Sequence, residues 1–108
     1  MIKKLKLGKC QKTGQENARI WLENKKLSEN GFKPNSYYSC DWVMGKFPAL
    51  VLTVLNDDDI ALEVRKVTDK KGTSVIDLTG WVVKQFFEGF THYTVIYNPG
   101  EIIIKGAK

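Results

Sequence analysis

The chain has 108 residues, 43% hydrophobic and 27% charged, with 17 Lys+Arg against 12 Asp+Glu for a formal net charge of +5. That length predicts one domain with a modest core, while the apolar content excludes intrinsic disorder and 9 Gly with 3 Pro exclude collagen-like or low-complexity character. No apolar run approaches the ~20 residues of a membrane span, and the basic start leads into Leu5-Lys6-Leu7-Gly8-Lys9 rather than an apolar signal core, so a soluble, cytoplasmic protein without a membrane partner is expected.

The first predicted element is a strand over about 2–9, within a stretch that carries Lys3, Lys4, Lys6, Lys9 and Lys12 and no acid. A polar loop at 11–17 leads to a strand at 18–23. Alternation puts Ile20 and Leu22 on its core face and Arg19, Trp21 and Glu23 on the outer one. A short helix follows, starting near Asn24 and stopping at Gly31. Two strands, from Tyr37 and at 49–52, complete this half, with a loose turn at Met44-Gly45-Lys46. Asn56-Asp57-Asp58-Asp59 reads as an exposed turn, since no Gly and Glu follow at the spacing of a calcium loop.

The same order then recurs. A strand at about 60–68 alternates Leu62 and Val64 with charged residues, and a polar loop at 69–73 leads to a strand at 74–78. Thr79 is the predicted N-cap of a helix from Trp81 to Phe87, with Gly89 just past its end. Two final strands are joined by the turn Asn98-Pro99-Gly100. The halves 1–55 and 56–108 therefore share a ββαββ order. Ile20-Trp21-Leu22 matches Ile76-Asp77-Leu78 at an offset of 56, as Leu27 matches Val83 and Tyr37 matches Tyr93, and Ala49–Leu52 matches Glu101–Ile104 at an offset of 52. One such half buries too little surface to stand alone. Two can cover each other's open edges in a common barrel or sandwich.

Arg19-Ile20-Trp21-Leu22-Glu23, Lys25-Lys26-Leu27, Gly31-Phe32 and Leu50-Val51-Leu52 resemble the AbrB/MazE/SpoVT superfamily, most closely its SymE-like branch. The stretch from Val75-Ile76-Asp77-Leu78 through Pro99-Gly100-Glu101-Ile102-Ile103-Ile104 looks like a second copy of the same unit. The resemblance implies a mainly β protein with two short helices, its tandem repeats forming one swapped-hairpin barrel. Such barrels are normally made by two identical chains, so this one would be a fused pseudo-dimer, monomeric or further paired as a homodimer. The family also implies a DNA-binding transcription regulator or antitoxin, or a toxin with nucleic-acid targets.

The expected function is thus non-enzymatic nucleic-acid binding, DNA ahead of RNA, by a small regulator or toxin/antitoxin-like factor. The candidate contacts are Lys3, Lys6, Arg19, Lys25 and Lys26, with Trp21 as a stacking plane. Only Arg19 and Arg65 could read guanine through a bidentate guanidinium contact, so lysine contacts to phosphate carry most of the expectation. Residues 1–55 hold 10 basic and 4 acidic residues (+6), whereas 56–108 hold 7 and 8 (−1), so the basic surface is expected on one half. The alternative is a protein-interaction module on the same scaffold, with Arg19 and Trp21 as its anchor. No motif places a catalytic pair or a phosphate-binding loop, and the single histidine, His92, reads as a solvent-facing turn residue. Cys10 and Cys40 lie in unrelated settings, without metal-ligand spacing, and both are expected to stay reduced. No cofactor or metal is expected.

Overall fold

The computed structural model describes residues 4–6, 8–12, 15–45, 48–56, 59, 63–79 and 81–107. Among these the first half contributes β1 (Lys4–Lys6), β2 (Gly8–Lys12), β3 (Gln15–Glu23), α1 (Lys25–Glu29), β4 (Tyr37–Val43) and β5 (Ala49–Val54). The second contributes β6 (Val64–Lys66), β7 (Thr68–Lys70), β8 (Thr73–Thr79), α2 (Trp81–Phe86), β9 (His92–Asn98) and β10 (Glu101–Ala107). The protein is mainly β with two short helices, as expected. Its strands form two antiparallel sheets, β1-β9-β10-β5-β4-β6 and β2-β3-β8-β7, which do not close into one barrel. No helix among the described residues is long and apolar enough to cross a membrane.

Both strand orders read the same backwards when each strand is exchanged for the one five places away in the chain. The central pairs carry the sequence offsets. Trp21 stands opposite Asp77, 56 residues later, and Val51 opposite Ile103, 52 residues later. A residue that faces its own counterpart across an antiparallel pair lies where a two-fold axis relating the halves would pass.

Each leading strand, expected as a single element at 2–9 and 60–68, is divided between the sheets. β1 lies against β9 and β6 against β4 in the six-stranded sheet, while β2 lies against β3 and β7 against β8 in the other. Val67 forms the corner between β6 and β7. It is fully buried, its N–H donates to the Ser36 carbonyl at 2.8 Å, and its carbonyl accepts from the Asn35 N–H at 3.0 Å. The consequence is an exchange, with each half's first strand pairing with the other half's hairpin.

Three further expectations are corrected. The polar loops at 11–17 and 69–73 are largely strand: β2 and β3 pair down to Lys12 and Gln15, and β7 and β8 down to Lys70 and Thr73. Lys71-Gly72 connects the latter pair with φ of 51° and 86°, the two left-handed residues of a type I′ hairpin turn. Thr79 is not an N-cap; it ends β8, and its buried hydroxyl has no hydrogen-bond partner among the described residues. The Tyr37–Tyr93 match is off by one, because Tyr38 and Tyr93 point into the core while Tyr37 is exposed. The equivalent hairpin pairs Trp42–Leu50 and Tyr97–Ile102 set the offset of β4 and β9 at 55.

Helices of five and six residues cannot persist on their own. Packing holds them, and again across the halves: α1 lies against β8, and α2 against β3 and β8. Leu27 from α1 and Val83 and Phe86 from α2, with Phe87 just after it, join Ile20, Leu22, Ile76 and Leu78 from the four-stranded sheet. Leu50, Leu52, Ile102 and Ile104 close the same core from the six-stranded sheet. Each fully buried aliphatic contributes about 1.5–3 kcal/mol. That fixes which way β3 faces, because the opposite register would bury the charges of Arg19 and Glu23 and expose Ile20 and Leu22.

Close packing also fixes Gly106, where a Cβ would stand 2.7 Å from the Phe90 ring. Gly106→Ala is therefore expected to destabilise the protein by about 1–3 kcal/mol through overpacking. Gly45→Ala, with nothing within 4 Å of the added carbon, should be close to neutral. Urea denaturation of the two variants beside the parent chain checks both.

Candidate functional site

The outward residues of β3, β7 and β8 assemble one cluster on the solvent face of the four-stranded sheet. Trp21 lies at its centre and is 40% exposed. Asp77 stands directly opposite on β8, and the Arg19 guanidinium reaches it diagonally, Nε and Nη2 donating to its two oxygens at 2.9 Å each. The same guanidinium lies 4.5 Å from the centroid of the Trp21 ring. From β7, Lys70 Nζ donates to both carboxylate oxygens of Glu23 at 3.0 and 3.2 Å and lies 5.9 Å from the Trp21 centroid.

The arrangement follows from the strands. Residues two apart on a strand share a face, and diagonal neighbours across an antiparallel pair fall within reach of long side chains. The type I′ turn at Lys71-Gly72 ends β7 at Lys70, level with the start of β8. Arg19 and Asp77 keep about a third of their side-chain surface in solvent, and Lys70 keeps more than half. Exposed ion pairs contribute about 0–1 kcal/mol and exposed cation–π contacts about 0.5–1 kcal/mol. The cluster therefore adds little to stability although it orders several side chains on a solvent face.

The structure unites Arg19 and Trp21 and separates the other candidates from them. Lys25 is exposed on α1 just beyond β3. Lys26 turns to the other sheet, its Nζ 5.5 Å from the Tyr97 ring, whose hydroxyl accepts from Asn24 Nδ2 at 2.9 Å. Lys6 belongs to β1, beside β9 in the six-stranded sheet, and its side chain lies outside the described set. Lys3 lies outside the described residues. Lys70, Glu23 and Asp77 complete the cluster. Lys70 was masked in the sequence by the reading of 69–73 as a loop; the Lys-Gly hairpin signal at 71–72 was the cue that would have put it on a strand.

Beside this face lies an end of the molecule rich in lysine. Ser28 Oγ on α1 is 2.9 Å from Ser74 Oγ at the start of β8, and Asn35 Nδ2 donates to Asp69 Oδ2 at 3.4 Å. These contacts gather α1, the 30–36 segment and the β6–β7 corner, with exposed Lys25, Lys33, Lys66, Lys70 and Lys71 against Glu29 and Asp69. Strand exchange also revises the expected charge asymmetry. The lysine-bearing β1 sits with the second half's hairpin, so the basic first half in sequence is not one side of the molecule in space.

Two other groups have different roles. His92 is no turn residue: it opens β9, half-buried, with Nδ1 2.7 Å from Thr91 Oγ1. Cys40 is a buried free thiol whose pKa is pushed up from 9.0 to about 12, chiefly by burial and then by the Glu63 carboxylate. Burial likewise raises the phenols of Tyr38 and Tyr93. No family profile, curated protein or solved structure matches the chain.

Two expectations follow. Trp21→Ala should cost on the order of 1 kcal/mol, well short of the ~3–5 kcal/mol of a buried aromatic, as read by chemical denaturation. Stability should fall as pH rises above about 9, because the unfolded thiol ionises there while the folded one holds its proton to about 12. The unfolded state then binds fewer protons than the folded one, so the slope of unfolding free energy with pH is negative. Cys40→Ala should flatten that decline, measured by urea denaturation between pH 8 and 10.

Proposed function

We propose that the protein is a non-enzymatic nucleic-acid-binding module, DNA ahead of RNA, that engages its ligand through the outer face of the four-stranded sheet. The observation that carries this reading is the exposed Trp21 ring with Arg19 and Lys70 within 6 Å of its centroid, next to the lysine-rich end formed by α1 and the β6–β8 segment. An aromatic plane on an open sheet accepts a base irrespective of sequence, at about 1–3 kcal/mol per stacked base, while lysines follow the phosphates. Lys25, Lys33, Lys66 and Lys71 make no ion pair among the described residues, which leaves their charge available to a polyanion. The exchanged leading strands and the self-matching strand orders support kinship with the swapped-hairpin barrels of the AbrB/MazE/SpoVT superfamily, with one chain standing for two. On that kinship the role would be a regulator or a toxin/antitoxin-like factor.

A protein-docking role is the second reading, and one observation favours it. Asp77 and Glu23 balance Arg19 and Lys70, so the centre of the face is charge-neutral. A phosphate contact by Arg19 must then compete with a bidentate carboxylate.

Titration of duplex DNA, single-stranded DNA and RNA at two salt concentrations tests the proposal. Trp21→Ala should weaken binding by about five- to a hundredfold, the equivalent of one stacked base, with the salt slope retained. Neutralising Lys25, Lys33, Lys66 and Lys71 together should flatten the salt slope by about three to four counterions. Absence of salt-dependent binding to all three ligands overturns the reading in favour of protein docking.

A further inference from the structure

The outer face of the six-stranded sheet is the other large open surface, and an apolar row crosses its centre. Alternation sends Ile96, Ile103 and Val51 outward in one cross-strand row, Ile96 opposite Ile103 and Ile103 opposite Val51. Val43 flanks that row and is exposed, while Ala49, its partner on β5, is buried. Of the six large apolar side chains exposed among the described residues, four (Tyr37, Val43, Met44 and Val64) belong to β4, to β6 or to the residue after β4. Ser39 and Asp41 separate Tyr37 from Val43 on the outer face of β4, so the apolar surface is a half-exposed central row with exposed residues at its two ends, and such a row on an open sheet is a candidate interaction site.

The charges on β10 select the occupant. Its outward residues are Glu101, Ile103 and Lys105, an acid and a base placed symmetrically about an isoleucine. Neither charged group makes an ion pair among the described residues; Glu101 only accepts from Asn98 Nδ2 at 3.5 Å. In an isologous interface, residue i of one copy meets j of the other, and j meets i. Laying β10 antiparallel over β10 of a second copy places each Glu101 against the other's Lys105, with Ile103 against Ile103. A parallel arrangement would set Glu101 on Glu101. Asp41, opposite Val51 in the same row but two strands from β10, meets the other copy's Asp41 at the rim; this one like-charge contact is set against the two Glu101–Lys105 pairs. Four long strands and two of three residues, at about 4.8 Å spacing and ~3.3 Å per residue, give a projected footprint on the order of 500 Å². That is smaller than the ~800 Å² per partner of a standard specific interface, so the association is expected to be weak.

We infer that the outer face of the six-stranded sheet is a homodimer interface, formed by antiparallel apposition of β10 with its copy. It lies on the opposite side of the molecule from the Trp21 cluster, and the inference does not depend on nucleic-acid binding.

Sedimentation equilibrium of the free protein up to about 100 μM, a range that detects even weak association, provides the test. The parent chain is expected to dimerise. Glu101→Lys and Lys105→Glu should each raise the dissociation constant by about tenfold or more, since each places like charges in contact. The double variant E101K/K105E restores the opposite pairing and should return most of the affinity. These surface exchanges leave the core untouched, so the comparison does not rest on a variant that misfolds. A monomeric parent chain overturns the inference, as does a dimer in which the double variant is no tighter than the single ones. Trp21→Ala should leave the dissociation constant unchanged.

Discussion

Two antiparallel strand pairs, β3 with β8 and β5 with β10, hold the rest of the structure in place. Each lies at the centre of its sheet and joins the two halves of the chain. Each puts a residue opposite its own counterpart, Trp21 against Asp77 and Val51 against Ile103. Everything else is arranged outward from these seams. The inner faces supply Ile20, Leu22, Ile76 and Leu78 on one side of the core and Leu50, Leu52, Ile102 and Ile104 on the other. Neither half can make a sheet of this width without the other. The exchange of leading strands and the crossing of α1 onto β8 and α2 onto β3 tie them further.

The same seams decide what reaches solvent. On the four-stranded side, the residue on the seam in the first half is a tryptophan and in the second an aspartate, so a symmetric backbone presents an asymmetric surface. Arg19 then has both a carboxylate and a ring within reach, and no equivalent cluster forms around Asp77, because Val75, the counterpart of Arg19, is buried. On the six-stranded side the seam residues are both β-branched and apolar. The two outer faces thus differ at their centres. One has a tryptophan among ion pairs, bordered by lysines, and the other an apolar row among Thr53, Thr94 and Asn98 with Asp41, Glu101 and Lys105.

Edges are handled by composition. β6 is only three residues long and turns Arg65 inward, where its Nη2 donates to Glu63 Oε1 at 3.2 Å. Glu63 Oε2 also accepts from Trp42 Nε1 at 2.7 Å. A short edge strand with an inward charge resists further strand addition. Its members act in opposite senses on the neighbouring Cys40 thiol, whose pKa burial raises most: Glu63 adds to that rise and Arg65 opposes it.

Much of this was legible in the sequence. The repeat, its offsets of 56 and 52, the outward face of Trp21 and the positions of both helices all follow from alternation and turn residues. The division of the leading strands did not follow, because a strand that changes sheet keeps the same local pattern; only tertiary pairing reveals the corner at Val67. The one-residue slip at Tyr37 and Tyr38 was hidden for a related reason, since two adjacent tyrosines satisfy either register. The cluster was half visible: Arg19 and Trp21 share a strand, but Lys70 comes from two strands away and 51 residues later. Lysine content by half misled because strand exchange separates halves in sequence from halves in space.

Strand exchange is the central claim, and cross-strand nuclear Overhauser effects on isotopically labelled protein address it most directly. Contacts of Leu5 with Tyr93 and of Arg65 with Tyr38 are expected, each leading strand lying against the other half's hairpin. Contacts of Leu5 with Tyr38 and of Arg65 with Tyr93 would mean instead that each half keeps its own first strand, and would rule the exchange out.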